Sequence, residues 1–169
     1  MYDEIFNEEM MISFQNLLRE HKKSITCAES CTGGLIASMI TQISGSSDIF
    51  NGSIVSYSNE IKNQELDVRE ETLKNYGAVS CQVVDEMLEG AIKKFNADFA
   101  IAVSGIAGPN GGTKNKPVGT VVIGISDKNN EKNIEIFTFK GSRKEVQIQA
   151  AKHSLKKLFN FFQKTLDKF

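Results

Sequence analysis

Residues 24–40 read SITCAESCTGGLIASMI, and the change of hydrophobic period inside this stretch decides the fold. Ser24 to Cys27 include the β-branched residues of a strand, whereas Leu35, Ile36, Met39, Ile40 and Ile43 recur with helical spacing. A strand therefore runs into a helix through AESCTGG, Ala28 to Gly34, and Ser30 is expected at the start of that helix. Unpaired N–H groups point outward from a helix start and its dipole favours negative charge, so a phosphate or an oxyanion is stabilised there. The same position equally suits a serine whose only work is to cap the helix.

Working outward, an amphipathic helix is read from Ile5 to about His21, with Phe6, Met10, Phe14 and Leu17 on one face. After the helix beyond Ser30, Gly45 to Ser47 marks a loop and Phe50 to Ser58 alternates as a second strand. Two short helices follow, Glu60 to Glu65 and Glu70 to Tyr76, the second stopped by Gly77. Ser80 opens a longer helix with Val84, Met87, Ala91 and Phe95 facing inward, and Phe99 to Val103 reads as a central buried strand. Val118 to Ser126 and Asn133 to Phe139 form an antiparallel hairpin across Asp127 to Lys132, since no crossover helix fits between them. A last helix, Arg143 to Lys168, turns Ala151, Leu155, Leu158, Phe162 and Leu166 inward and carries its lysines as a solvated face.

This order specifies an α/β chain: a three-layer α/β/α sandwich around a mixed, mostly parallel sheet with an antiparallel hairpin. Residues 1–169 are expected to form one domain, because 169 residues with 40% hydrophobic content suffice for one core and fall short of two. Ligands of such sheets collect at the carboxyl ends of the parallel strands. That rule puts Ser30 and the Ser104-Gly105 pair on the same edge of the sheet.

Lys+Arg 20 against Asp+Glu 21 gives a net charge of -1, which argues against direct nucleic-acid binding. No membrane span is expected, and the acidic start MYDEIFNEEM is unlike a signal peptide, so a cytoplasmic protein is expected. Cys27, Cys31 and Cys81 fit neither a disulfide framework nor a zinc ribbon, and Cys31, beside a helix start, is the thiol expected to ionise most readily. His21 and His153 form no metal-ligand pattern, so no metal or cofactor is expected and a Ser-His-Asp triad is disfavoured. A symmetric homo-oligomer is expected for a compact α/β chain of this size.

Two glycine-rich turns could cradle an anion. One is Thr32-Gly33-Gly34, and the other is the loop after Ser104, where Gly105, Gly108, Gly111, Gly112 and Gly119 lie close to both prolines. Neither has the Walker A or dinucleotide spacing, which favours an anion the size of a nucleoside monophosphate; plain wide turns are the simpler alternative. A Ser30 nucleophile needs a base, and Tyr57 or Lys62, at the end of the second strand and in the helix after it, can supply one. Taken singly, Tyr57 also fits a half-buried strand aromatic and Lys62 an exposed helical lysine. Arg143, between the last strand and the last helix, is either a bidentate grip on phosphate or carboxylate or a surface charge.

Together, AESCTGG, GSSDIFNGSIVSYSNEIK, GAVS and SGIAGPNGGTKNKPVGTV resemble, in order and spacing over nearly the whole chain, the C-terminal domain family of the competence-damage-inducible protein CinA. The resemblance implies an α/β/α sandwich and, in the PncC-type members, hydrolysis of nicotinamide mononucleotide to nicotinic acid mononucleotide and ammonia in pyridine-nucleotide salvage. It implies that Ser30 is the nucleophile, activated by Lys62 and Tyr57, with N–H groups at the helix start holding the oxyanion. Arg143 and the loop holding Ser104, Gly105, Gly108, Gly111 and Gly112 would then bind a small-molecule nucleotide substrate, with Thr32, Gly33 and Gly34 as supporting donors. Many relatives carry this domain behind a pyrophosphatase-like domain; the amidase-like part alone is expected here. A catalytically silent nucleotide-sensing or partner-binding module, linked to competence or DNA damage, is the alternative from a different class.

Overall fold

The computed structural model describes residues 1–168; Phe169, the last residue of the expected domain, lies outside the described residues. In chain order the elements are α1 (Glu8–Glu20), β1 (Ile25–Glu29), α2 (Leu35–Thr41), β2 (Ile54–Val55), α3 (Asn59–Leu66) and α4 (Glu70–Tyr76). Then come α5 (Cys81–Phe95), β3 (Phe99–Gly105), β4 (Thr120–Asp127), β5 (Lys132–Thr138) and α6 (Arg143–Leu166). The sheet order is β2-β1-β3-β4-β5. β1 pairs in parallel with β2 and β3, while β4 is antiparallel to both β3 and β5, so four strands share one direction and only β4 is reversed.

Helices cover both faces, which makes the strands apolar on both sides. In β3 the large residues Phe99, Ile101 and Val103 join the core beneath α1, α2 and α6, and the alternate residues Ala100 and Ala102 join the smaller core beneath α3, α4 and α5. Fully buried Phe14 and Phe162 anchor the larger core, each contributing about 1.5–3 kcal/mol by leaving water. The smaller side chains let α5 approach closely: a Cβ on Gly124 would meet Val84 at 2.6 Å and Leu88 at 2.8 Å. The two edge strands, β2 and β5, mix exposed with half-buried positions. No helix among the described residues is long and apolar enough to cross a membrane.

Several sequence-based boundaries hold because their caps are local. Ser80 accepts the Val83 N–H as N-cap of α5, and Gly77 ends α4 with φ +77. The stripe of α1 is rotated by about one residue from the expected face, so that Met11, Phe14, Gln15 and Leu18 are buried. Gln15 tolerates burial because its side-chain amide donates to the Ile40 carbonyl at 2.9 Å. The expected second strand from Phe50 to Ser58 contracts to Ile54–Val55 plus a single bridge between Ile25 and Phe50. It lies on an outer edge with a partner on one side only, and the Gly52 carbonyl is taken by the Thr26 hydroxyl at 2.7 Å rather than by a ladder.

The placement of α3 depends on Gly90 of α5. A Cβ there would lie 2.0 Å from the Leu66 carbonyl oxygen, so a side chain larger than hydrogen would push the end of α3 outward. Helix propensity alone favours alanine over glycine by about 1 kcal/mol. Gly90→Ala is nevertheless expected to lower the midpoint of thermal unfolding by roughly 5 °C, because a backbone clash of this kind costs more than that gain; a rise on calorimetry would show that the contact yields freely.

Candidate active site

The site is assembled at the carboxyl ends of β1 and β3, around a turn that the strand-to-helix junction makes before α2 begins. Ser30 was expected at a helix start, but α2 begins at Leu35, with Gly34 at the N-cap in a left-handed conformation (φ 100). Ser30 is therefore no N-cap: its carbonyl accepts the Gly33 N–H at 3.0 Å, and its hydroxyl stays available for chemistry. The anion position at the end of α2 is filled by the protein itself. Glu29, fully buried, accepts from Ile36 N–H at 2.9 Å and the Thr32 hydroxyl at 2.6 Å on one oxygen, and from Ala37 N–H at 3.1 Å on the other.

Lys62 projects from the first half of α3, which starts at Asn59, one residue before the expected Glu60, with Ser58 as its N-cap. Its Nζ donates to Ser30 Oγ at 3.1 Å and to the Ser56 carbonyl at 2.7 Å. Lys62 is 1% exposed, and no carboxylate pairs with it among the described residues. Burial alone pulls its ammonium down from 10.5 to about 8. The Ser56 N–H and hydroxyl in turn donate to the Glu29 carbonyl at 2.7 and 3.2 Å. Hydrogen bonds and one peptide bond thus close a ring through Glu29, Ser56, Lys62 and Ser30.

Arg143 opens α6 behind a capping box in which Ser142 and Glu145 satisfy each other's backbone N–H groups. Its guanidinium donates to the Gly108 carbonyl and to the Tyr57 hydroxyl, both at 2.8 Å. Two of its five N–H groups are so engaged, and the remainder can hold an anion. Tyr57 is 59% exposed at the rim and bonds Arg143 rather than Ser30.

A cavity of about 270 Å³ brings together Ser30, Tyr57, Lys62, Ser104, Gly105, Gly108, Gly111 and Arg143. Thr32, Gly33, Gly34 and Gly112 do not line it: the Thr32 hydroxyl is held by Glu29, the Gly33 N–H by Ser30, and a Cβ on Gly112 would strike the Val118 backbone. Larger hollows of about 530 and 790 Å³ lie between β5 and α6 and between α1 and α2, and neither contains any of these groups. Sequence reasoning missed Ser56, the role of Glu29, and the walls given by Ala78, Val79, Ile106, Ala107 and Asn110. The GAVS motif contained the signal for Ala78 and Val79; backbone contacts such as the Ser56 carbonyl leave none. Cys31 also departs from expectation, because burial pushes its thiol up to about 12 and leaves it un-ionised.

The model of the CinA C-terminal domain matches residues 7–162. A CinA-like protein of Thermotoga neapolitana is 45% identical over 152 residues, covering 90% of this chain and 37% of that protein. One from Prochlorococcus marinus strain MIT 9312 is 54% identical over 132 residues, covering 78% and 31%. The chain thus spans about a third of the length of these curated relatives. Among solved structures, the competence/damage inducible protein CihA from Agrobacterium tumefaciens has a TM-score of 0.88 at 36% identity, covering 90% of this chain and 93% of that one. The competence damage-inducible protein A from Klebsiella pneumoniae has a TM-score of 0.86 at 34% identity, covering 90% and 94%.

Burying the Lys62 ammonium opposes folding. The native state holds fewer protons than the unfolded chain between about pH 8 and 10.5, so this group makes stability rise across that window, with the full penalty in place below it. A shift from 10.5 to about 8 corresponds to about 3 kcal/mol. Lys62→Met is expected to raise the unfolding midpoint at pH 7 by roughly 5 °C after loss of two hydrogen bonds, and its advantage over wild type should shrink as pH increases from 8 to 10.5. A constant advantage across that range would mean that Lys62 is not held with a lowered proton affinity.

Proposed function

The chain belongs to the CinA C-terminal domain family, and from that premise we propose that it is a nicotinamide-nucleotide amidase, a hydrolase converting nicotinamide mononucleotide to nicotinic acid mononucleotide and ammonia. The observation that carries this reading is the 3.1 Å contact between Lys62 and Ser30 in a cavity that also holds Arg143. Neutral Lys62 keeps one N–H on the Ser56 carbonyl and turns its lone pair to the Ser30 hydroxyl. As Ser30 Oγ bonds to the carboxamide carbon, its proton passes to Lys62 Nζ. Lys62 then protonates the departing nitrogen, ammonia leaves, and a water deprotonated by the same amine cleaves the acyl-serine to the acid.

The oxyanion needs donors, and those of α2 are taken: Ile36 and Ala37 serve Glu29. The role passes to the turn itself, where the N–H groups of Cys31 and Thr32 have no carbonyl or carboxylate acceptor among the described residues. Arg143 grips the nucleotide phosphate, with the exposed hydroxyl of Tyr57 steadying the guanidinium. This gives Lys62 the base role and Tyr57 a supporting one. Ser104 and the glycine loop form the opposite wall.

Ammonia released from nicotinamide mononucleotide by the purified protein tests the proposal. Ser30→Ala should reduce kcat on the order of 10⁴-fold or more while binding stays measurable, and Arg143→Ala should weaken kcat/KM about tenfold or more. Because the neutral amine reacts, kcat/KM should climb with pH to a plateau above about 8. Nucleotide binding on calorimetry with no product formed would favour the silent sensing or partner-binding module instead.

A further inference from the structure

Glu29 is a buried carboxylate that the proposed chemistry does not use, and it has no cationic partner among the described residues. An isolated buried charge is costly unless hydrogen-bonded. Glu29 meets that need with α2, receiving two of its first N–H groups and the Thr32 hydroxyl, with the Cys27 thiol more distantly at 3.8 Å. Its main-chain carbonyl meanwhile receives both donors of Ser56, whose own carbonyl receives Lys62. One residue therefore fixes the turn that carries the nucleophile and the backbone that aims the base.

We infer that Glu29 is a positioning residue for Ser30 and Lys62: its carboxylate clamps β1 to α2 so that the intervening turn holds the Ser30 hydroxyl within reach of the Lys62 amine. The inference rests on the reading of Ser30 as nucleophile. A carboxylate is required because both oxygens accept. A carboxamide would turn its NH2 toward donors on one side and open the clamp, and a nucleophile displaced by about 1 Å can lose on the order of 10²-fold in rate. An ordinary helix cap would affect stability without altering the intrinsic reactivity of folded molecules.

The test compares wild type, Glu29→Gln and Thr32→Val, the last of which keeps the carboxylate and removes one donor. Two rates are followed: modification of Ser30 by a fluorophosphonate, read by mass spectrometry, and turnover of nicotinamide mononucleotide. For folded Glu29→Gln, modification and kcat should both fall about tenfold or more, with KM within about twofold of wild type and the pH midpoint still near 8. Thr32→Val should shift both rates in the same direction by about threefold, which decides the matter if Glu29→Gln does not fold. Wild-type modification rates in the folded variants would overturn the assignment, as would a Ser30 that resists the reagent in wild type. If wild type is modified at Ser30 but leaves nicotinamide mononucleotide intact, the substrate assignment fails and Glu29 is judged on the modification rates alone.

Discussion

An amine buried without a counter-charge is the constraint around which this molecule is arranged. Lys62 is held between α3 and the end of β1, with one carbonyl and one hydroxyl as partners and no acid beside it. In that setting burial raises the share of the neutral form, although the ammonium still predominates at pH 7, and a neutral amine is what the proposed Ser30 nucleophile requires. A carboxylate partner would have made the residue more comfortable and less useful, since it would have restored the ordinary proton affinity of a lysine. The core beneath α3, α4 and α5 offsets the cost, with Leu66, Val68, Leu73, Val84, Met87 and Leu88 buried together and Gly90 permitting the close approach of α3.

The opposite sign is treated differently a few residues away. Glu29 is also fully buried, but it draws N–H groups from the first turn of α2 and keeps its place through helix-end electrostatics and hydrogen bonds. Two buried ionisable groups of opposite charge thus sit in one ring without pairing with each other. Direct pairing would have joined them into a stabilising unit and restored the ordinary proton affinity of Lys62. Separation by Ser56 and by the turn from Ser30 to Gly34 keeps each in its own role.

The layers, the reversed hairpin and the convergence of Ser30 with Ser104 were legible because hydrophobic period and local caps specify them. The limits of α4 and the Ser80 cap of α5 were legible for the same reason. The start of α2 was misplaced because a serine before an apolar run looks like a cap, whereas the capping carboxylate comes from Glu29, on the strand side of the turn. A thiol beside a helix start suggested easy ionisation for Cys31, and burial, a tertiary property, decided otherwise. The clasp of Arg143 on Gly108 and Tyr57 spans sequence separations of 35 and 86 residues, so no local pattern encodes it. Residue chemistry raised Ser30, Tyr57, Lys62 and Arg143 as candidates, the resemblance to CinA implied their roles, and the geometry separated Lys62, beside Ser30, from Tyr57, which faces Arg143.

The proposed chemistry depends above all on the protonation of Lys62. Selective ¹⁵N labelling of lysine with an NMR titration of the Lys62 amine in the folded protein reads it without reference to any substrate. A midpoint near 8, displaced from the ordinary 10.5, is expected. A midpoint near 10.5 would contradict the proposed chemistry, because the neutral amine that it assigns to Ser30 would then be about 300-fold scarcer at neutral pH.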